Sequence, residues 1–524
     1  MSCCDRLQNA RLALIALTGL IALPAAPAGA QDPSETPEGF SILASEPEAE
    51  TQAEAPAIGP HLDRDAYLAA RGDIEDTVLS TRWRIERTSL DGEPLDSDIR
   101  TVVIGDGYAF EPAADGRTVY DFRTDRILDR VDMLDGPVVR SRPIVAHVHR
   151  QMNTFAFYTR GGELDEVSGP GGAVFERFWI EAAMGVRLSA VELETFITED
   201  DRHEFRRDPL GGTIFSYTPD EVGIGNPASL FRAWLRHGPP IHPDALDRLA
   251  PGDGIPARFS YIVFSPSSPD GRVESWTRQD ATETTGLFPW PEDVPPAPAS
   301  AYETASPELN TVLAAGMSAL SGEAGLAPTR TSFVAASEGA QRRGDLPGSY
   351  LALQQAIHHY GPCMPQSEEE RCTRLSRVVA AGLGNDEFEA LMLALGAMQT
   401  DRAAAFRTLT DHLDRDAYAG AAANLLAAQA LAGLQAGNPD AMSDRDPLAL
   451  FAASAEADPH APMTYWHAGR FAASIGDVET AWLLFDLARA LPDAGATGAA
   501  QEADSMHERL QALAPDFFGP DGAR

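Results

Sequence analysis

The sequence contains no lysine: all 41 basic residues among its 524 are arginine. That absence removes whole chemistries. A Walker A phosphate loop, a pyridoxal Schiff base and a Ser-x-x-Lys acylation site each require a lysine amine. Positive charge is short altogether. Asp and Glu number 78, and the formal net charge is −37. Phosphate backbones and anionic lipid headgroups select cationic surfaces, so neither nucleic acid nor an anionic membrane surface is an expected partner. Cysteine is scarce, four in all, and no CxxC redox motif occurs. The only long apolar run is Leu12–Leu23, so no membrane span is expected in the mature chain.

That run reads as part of an export signal over 1–30. Arg6 and Arg11 precede it, Pro24 breaks it, and Ala28-Gly29-Ala30 supplies a small-x-small cleavage site. Cys3 and Cys4 lie before the apolar core, which excludes a lipoprotein anchor there. A periplasmic or secreted protein is expected. Two cysteines then remain, Cys363 and Cys372, and an oxidising compartment makes a disulfide between them the default. Closing so short a loop is worth about 2.7 kcal/mol on the chain-entropy estimate.

Composition divides the rest. Residues 31–60 hold seven acids, five prolines and no base, too little apolar surface to offset ordering entropy. A disordered acidic linker is expected over 31–77. From 78 to 290 the pattern is β-like. Trp83 and Ile85 alternate with Arg82, Arg84 and Glu86. Asp106-Gly107 and Asp115-Gly116 mark hairpins. Further strands are expected at 126–132, 143–149, 153–159, 191–198, 213–218, 257–265 and 272–278, with helices at 174–184, 228–237 and 243–250. The expected class is α+β, an antiparallel β-rich domain followed by an all-α region. The stretch 291–300 (PEDVPPAPAS) holds four prolines and reads as the linker between them.

Over 301–515 the chain turns alanine-rich with helical spacing, and a repeat emerges. Gly344-Asp345 opens LPGSYLALQQA, as Gly476-Asp477 opens VETAWLLFDLA. Small residues match (Ser349 with Ala481, Ala356 with Ala488), as do bulky ones (Leu353 with Phe485). Glycine suits the turn, the aspartate caps the next helix, and small residues let paired helices close up. These segments resemble the tetratricopeptide repeat, a 34-residue helix-turn-helix unit. The best match is 462–495, through Tyr465, Gly469, Gly476, Ala481, Phe485 and Ala488. Units at 330–363 and 428–461 match less well, and the last carries GNPDAMSDRDP and Pro447 inside it. The resemblance implies repeat packing and a protein or peptide partner.

Site chemistry is thin. His147 and His149 share one side if they lie on a strand and are the weak metal candidates, but the usual nearby third ligand is missing. His203-Glu204 lacks the second histidine of a zincin helix. No catalytic residue and no cofactor is expected. Tyr108, Phe110, Tyr120, Phe122, Phe155, Phe157 and Tyr158 have two readings. One is the lining of a lipid-binding concavity, as in exported lipoprotein-carrier half-barrels. The other is ordinary core against 174–184. Three functions follow in order: a non-catalytic, repeat-based binding or assembly scaffold of the bacterial cell envelope, a periplasmic hydrolase sited in the α+β domain, and a carrier of a hydrophobic ligand.

Overall fold

The computed structural model describes residues 64–519 apart from 73–74, 113–117, 159–165, 169–173, 188–191, 208–212, 221–226, 250–253, 266–267, 291–293, 303, 305, 365–366, 439–440, 443 and 493–497. The export signal and most of the acidic linker lie outside the described residues. The linker expected to reach residue 77 ends earlier. Arg64–Arg71 is a helix, α1, whose Tyr67 is fully buried.

The class is α+β, an antiparallel eleven-stranded sheet followed by a helical region. The described residues fall into two compact units, 328–458 and 64–327 with 459–519. The division expected at 291–300 does not coincide with either boundary. Instead residues 295–297 of that stretch run along the sheet edge. The Val139 N–H donates to the Pro295 carbonyl at 2.8 Å, and the Ala297 N–H donates to the Val139 carbonyl at 2.8 Å. Prolines cannot donate, but their carbonyls accept, so this stretch can cover an edge strand.

The strands are β1 (Glu75–Ser89), β2 (Pro94–Gly105), β3 (Tyr108–Phe110), β4 (Thr118–Asp121), β5 (Arg126–Met133), β6 (Gly136–Pro143), the separate hairpin β7 (Glu166–Ser168) and β8 (Val174–Glu176), β9 (Glu194–Ile197), β10 (His203–Arg206), β11 (Thr213–Thr218), β12 (Arg258–Ser265) and β13 (Ser268–Leu287). The sheet order is β6-β5-β4-β3-β2-β1-β13-β12-β11-β10-β9. Two meanders, β1 to β6 and β9 to β13, therefore join through the long β1–β13 pair, Glu75 opposite Leu287 and Ser89 opposite Arg272.

Along β1 the alternation holds. Leu79, Thr81, Trp83 and Ile85 are buried, while Arg82, Arg84 and Glu86 are exposed. The opposite face of the β2–β6 half packs Tyr108, Phe110, Val119 and Leu128 against Tyr67, Phe288 and Trp290.

Within this unit the helices are α2 (Ile144–Tyr158), α3 (Arg177–Met184), α4 (Pro227–His237), α5 (Pro243–Leu246) and α6 (Pro307–Ser321). Helix α2 replaces the two strands expected at 143–149 and 153–159. Ile144, Val145 and Val148 are all fully buried. Their i, i+1, i+4 spacing is a helical stripe, and it overrides the β preference of the branched side chains.

The helical unit contains α7 (Arg330–Arg342), α8 (Leu346–Tyr360), α9 (Glu370–Gly382), α10 (Asp386–Ala397), α11 (Arg402–Thr410), α12 (Ala417–Gly437) and α13 (Pro447–Ala457). Leu351, Leu353, Phe388, Leu391, Phe406, Leu409, Leu426 and Leu431 form its core. By length and composition α12 could cross a bilayer, but most of it is buried inside this unit among α8, α11 and α13. It is the kind of apolar helix that a soluble core also uses. The chain then returns to the sheet unit as α14 (Pro462–Ser474), α15 (Val478–Ala490) and α16 (Ala499–Leu513).

Both repeat turns form as their residues require. Gly344 and Gly476 take φ of +81° and +89°, the left-handed region that favours glycine. Asp345 accepts from the Gly348 N–H at 2.8 Å, and Asp477 from the Thr480 N–H at 3.2 Å. The segment GNPDAMSDRDP is the connection between α12 and α13, so the expected unit 428–461 begins inside a helix.

His358 is a buried residue of α8, hydrogen-bonded through Nδ1 to Gln355 at 3.1 Å. Burial, with His359 beside it, pulls its pKa down to about 4, against a smaller opposing effect of Asp458. The unfolded chain, with an ordinary histidine pKa near 6.5, then binds the proton more readily. Stability is full above about pH 6.5 and is lost as pH falls toward 4, by about 3 kcal/mol. His358→Gln flattens that stretch of the stability-against-pH curve measured by circular dichroism.

Candidate functional site

The half of the sheet formed by β1 and β10 to β13 builds one continuous aromatic face. Register sets Ile85, Trp276, Phe259, Tyr217 and His203 in a row across five strands. A second row runs through Glu274, Tyr261, Phe215 and Phe205. Side chains opposite one another in a sheet share a face, so these rings meet. Phe259 stacks on Trp276 with centroids 5.3 Å apart, and Trp83 meets Phe259 edge-on at 5.3 Å.

The polar ends of these rings are satisfied within the protein. The Trp83 indole N–H donates to Thr81 at 2.9 Å. Tyr261 donates to Glu274 at 2.9 Å and accepts from the Trp276 indole at 3.2 Å.

Helix α4 occupies this face. Phe231 stacks on Trp83 at 5.7 Å, and Trp234 meets Trp276 edge-on at 6.2 Å. Leu230, Phe231, Trp234 and Leu235 are all buried. Beside it lies a cavity of about 10 Å³ lined by Phe178, Trp179, Phe215, Ile241, His242 and Tyr261, about the room one water needs.

Two buried polar contacts stand out within this unit. His242 stacks flat on Phe178 at 4.3 Å, and its Nε2 donates to Glu181 at 2.9 Å. Its Nδ1 accepts from the Asp244 N–H at 3.2 Å. With both nitrogens engaged and the ring buried, His242 is not placed to serve as a general base. Arg126 of β5 meets Asp486 of α15 at 2.9 Å, both side chains buried. Burial raises the Asp486 pKa, and Arg126 and Arg489 oppose that shift.

The metal candidates part company. On helix α2, residues two apart point about 200° apart, so His147 and His149 cannot meet one ion. His147 lies against His237 of α4, ring centroids 5.1 Å apart. Burial lowers the pKa of His147 to about 4 and of His237 to about 3, so both are neutral at pH 7. No group of three or more His, Cys, Asp or Glu among the described residues is arranged to hold a metal ion. His203 and Glu204 lie on strand β10, not on a zincin helix.

The aromatics singled out from sequence divide between faces. Tyr108 and Phe110 pack with Tyr67 and Phe288. Tyr120 and Phe122 turn to His237, at 4.6 and 6.3 Å. The side chains of Phe155, Phe157 and Tyr158 lie outside the described residues. The aromatic face itself went unrecognised, although its signal was legible as alternate aromatics in strands 213–218 and 257–265.

Cys363 and Cys372 are disulfide-bonded, Cα atoms 5.5 Å apart, tying the loop after α8 to α9. Cys363→Ser with Cys372→Ser is expected to cost about 2.7 kcal/mol in urea unfolding.

The repeat-packing residues behave as a set. Tyr465, Ala481, Phe485 and Ala488 are buried. A Cβ on Gly469 would lie 2.9 Å from the Phe485 ring and 3.0 Å from the Ala481 carbonyl, so only glycine lets α14 and α15 approach this closely. A Cβ on Gly316 of α6 would lie 2.8 Å from both Tyr465 and Leu487. The α14–α15 hairpin is therefore packed against α6 within the sheet unit. No known family and no curated protein matches the chain.

Proposed function

We propose that the chain is an exported, non-catalytic binding protein that holds an apolar, lipid-like ligand on the aromatic face of its sheet, in the place α4 fills. The observation that carries this reading is the aromatic double row running across the sheet from β13 to β10, covered by α4 at Trp83, Phe259 and Trp276 and by α3 and residues 240–245 at Phe215 and Tyr261. A carrier in water must shield an apolar cargo, and such a face does so.

Magnitudes decide which cargo. Leu230, Phe231, Trp234 and Leu235 contribute about 1.5–3 kcal/mol each, so roughly 6–12 kcal/mol of burial is given up when α4 leaves. A ligand of about sixteen methylenes returns about 13 kcal/mol at about 0.8 per methylene, whereas one of about eight returns half that. Long acyl chains offset the whole of that range, short ones only its lower end.

Solvent extraction of the purified chain followed by mass spectrometry is the test. Stoichiometric long-chain lipid supports the reading. A chain purified from cells that carries none, and acquires none from mixed envelope lipids, contradicts it.

A second reading assigns the helical unit a protein or peptide partner through tetratricopeptide-like packing. It is favoured by the exposed Leu383 and Leu393, at 59% and 74% exposure beside α9 and on α10. It is weakened because the best-matching hairpin, α14–α15, is occupied in packing against α6. A hydrolase finds less support, since His242 has no nitrogen to spare.

A further inference from the structure

The two edges of the sheet differ. Residues 295–297 cover β6. At the other end, among the described residues, no strand pairs with the outer side of β9, and all four of its residues are exposed. Register decides which backbone groups it offers. The Thr198 N–H donates to the Arg202 carbonyl at 3.0 Å, and Phe196 lies opposite Glu204. Opposed residues of an antiparallel pair alternate between exchanging both hydrogen bonds and exchanging neither. Thr198, Phe196 and Glu194 therefore turn their N–H and C=O groups toward β10. Thr195 and Ile197 turn theirs outward.

The side chains are apolar in the middle and acidic at both ends. Phe196 is 40% exposed and Ile197 64%. Ile197 stands opposite His203 and so carries the first aromatic row to the edge. Glu192, Glu194, Glu199, Asp200 and Asp201 place five acids and no base within 192–201. The arginines of β10 are engaged with Glu204, Arg202 at 2.5 Å and Arg206 at 2.8 Å.

We propose that β9 is a docking edge that adds an extended, basic segment of a partner protein to the sheet. Exposed apolar edges are commonly guarded by charge, and here the guard has one sign, which selects the occupant. A second copy meets its own acids. With Thr195 opposite Ile197, a pairing the outward groups allow, Glu192 would face Asp200, and like charges across a pair destabilise it. Residues 31–60 hold seven acids and no base, so that stretch of the chain has the wrong charge as well. A segment alternating basic and apolar residues fits both faces. Its bases lie on the side of Glu194 and Phe196, and its apolar residues cover Ile197 on the other. In strand addition of this kind main-chain hydrogen bonds give affinity and alternate side chains give specificity.

The test is fluorescence anisotropy of the purified full chain with dye-labelled peptides of about eight residues, alternating Arg-Val, Glu-Val or Arg-Pro. The Arg-Val peptide is expected to bind, more weakly as salt rises, and to slow amide hydrogen exchange at Thr195 and Ile197. Glu-Val reverses the charge, and Arg-Pro keeps the charge but has fewer N–H donors. Each should bind at least about tenfold more weakly, the equivalent of one or two backbone hydrogen bonds. Ile197→Pro, a substitution that edge strands tolerate, should lose Arg-Val binding by a similar factor with unchanged circular dichroism. The exchange measurement on the wild-type chain needs no variant. An Arg-Val peptide that does not bind, or that protects other amides instead, overturns the proposal. So does an Arg-Pro peptide that binds equally well, since charge alone would then be at work. Protection of Thr195 and Ile197 that grows with the concentration of the chain alone would make a second copy the occupant and overturn it too.

Discussion

Trp234→Ala lowers the stability of the sheet unit by about 3–5 kcal/mol, the usual cost of emptying a buried indole site. Trp234 is 2% exposed and touches Phe231 and Trp276, so no side chain beside it can swing out of solvent to refill the space. The measurement is the midpoint of urea unfolding followed by tryptophan fluorescence. All seven tryptophans lie in the unit built from 64–327 and 459–519, so this signal reports on the sheet unit. A midpoint within error of the wild type would mean that α4 is not seated on the aromatic face.

Asp486→Ala is the second large loss, about 3–5 kcal/mol by the same assay. The substitution leaves Arg126 buried without the carboxylate it meets at 2.9 Å. Coulomb attraction alone is not the reason, because taking both charges out of water cancels much of it. The penalty arises from stranding one partner. Removing both tests this directly: Arg126→Met with Asp486→Leu should recover most of the loss. If the double variant is as unstable as the single, the cost lies in packing and not in charge.

How far the sequence could be read depended on whether the information was local. The β1 alternation, the strands at 213–218 and 257–265, helix 228–237, the Gly-Asp turns and the disulfide are short-range patterns, and each is present. Helix α2 was missed because Val and Ile favour strands while the burial that makes a helix of Ile144, Val145 and Val148 is supplied by distant elements. The same error misplaced His149 as a partner of His147. The true neighbour, His237, is ninety residues away, and no spacing rule could find it.

The proline-rich stretch misled for a related reason. Proline marks the end of regular structure, and here that end lies along β6. The Arg126–Asp486 pair and the return of α14 to α16 to the sheet unit are long-range facts with no sequence signature. The aromatic face was half legible, since alternation shows that rings share a side but not that two meanders join through β1 and β13.

The most direct test of the carrier account is energy transfer from the tryptophans to a long-chain polyene fatty acid added to the delipidated chain. Trp83 and Trp276 line the proposed site. Saturable transfer at one ligand per chain is predicted, competed by long acyl chains and far more weakly by an analogue of about eight carbons, whose burial returns about half as much. Transfer that never saturates, or short chains that compete as well as long ones, would contradict a ligand exchanging with α4 on the aromatic face.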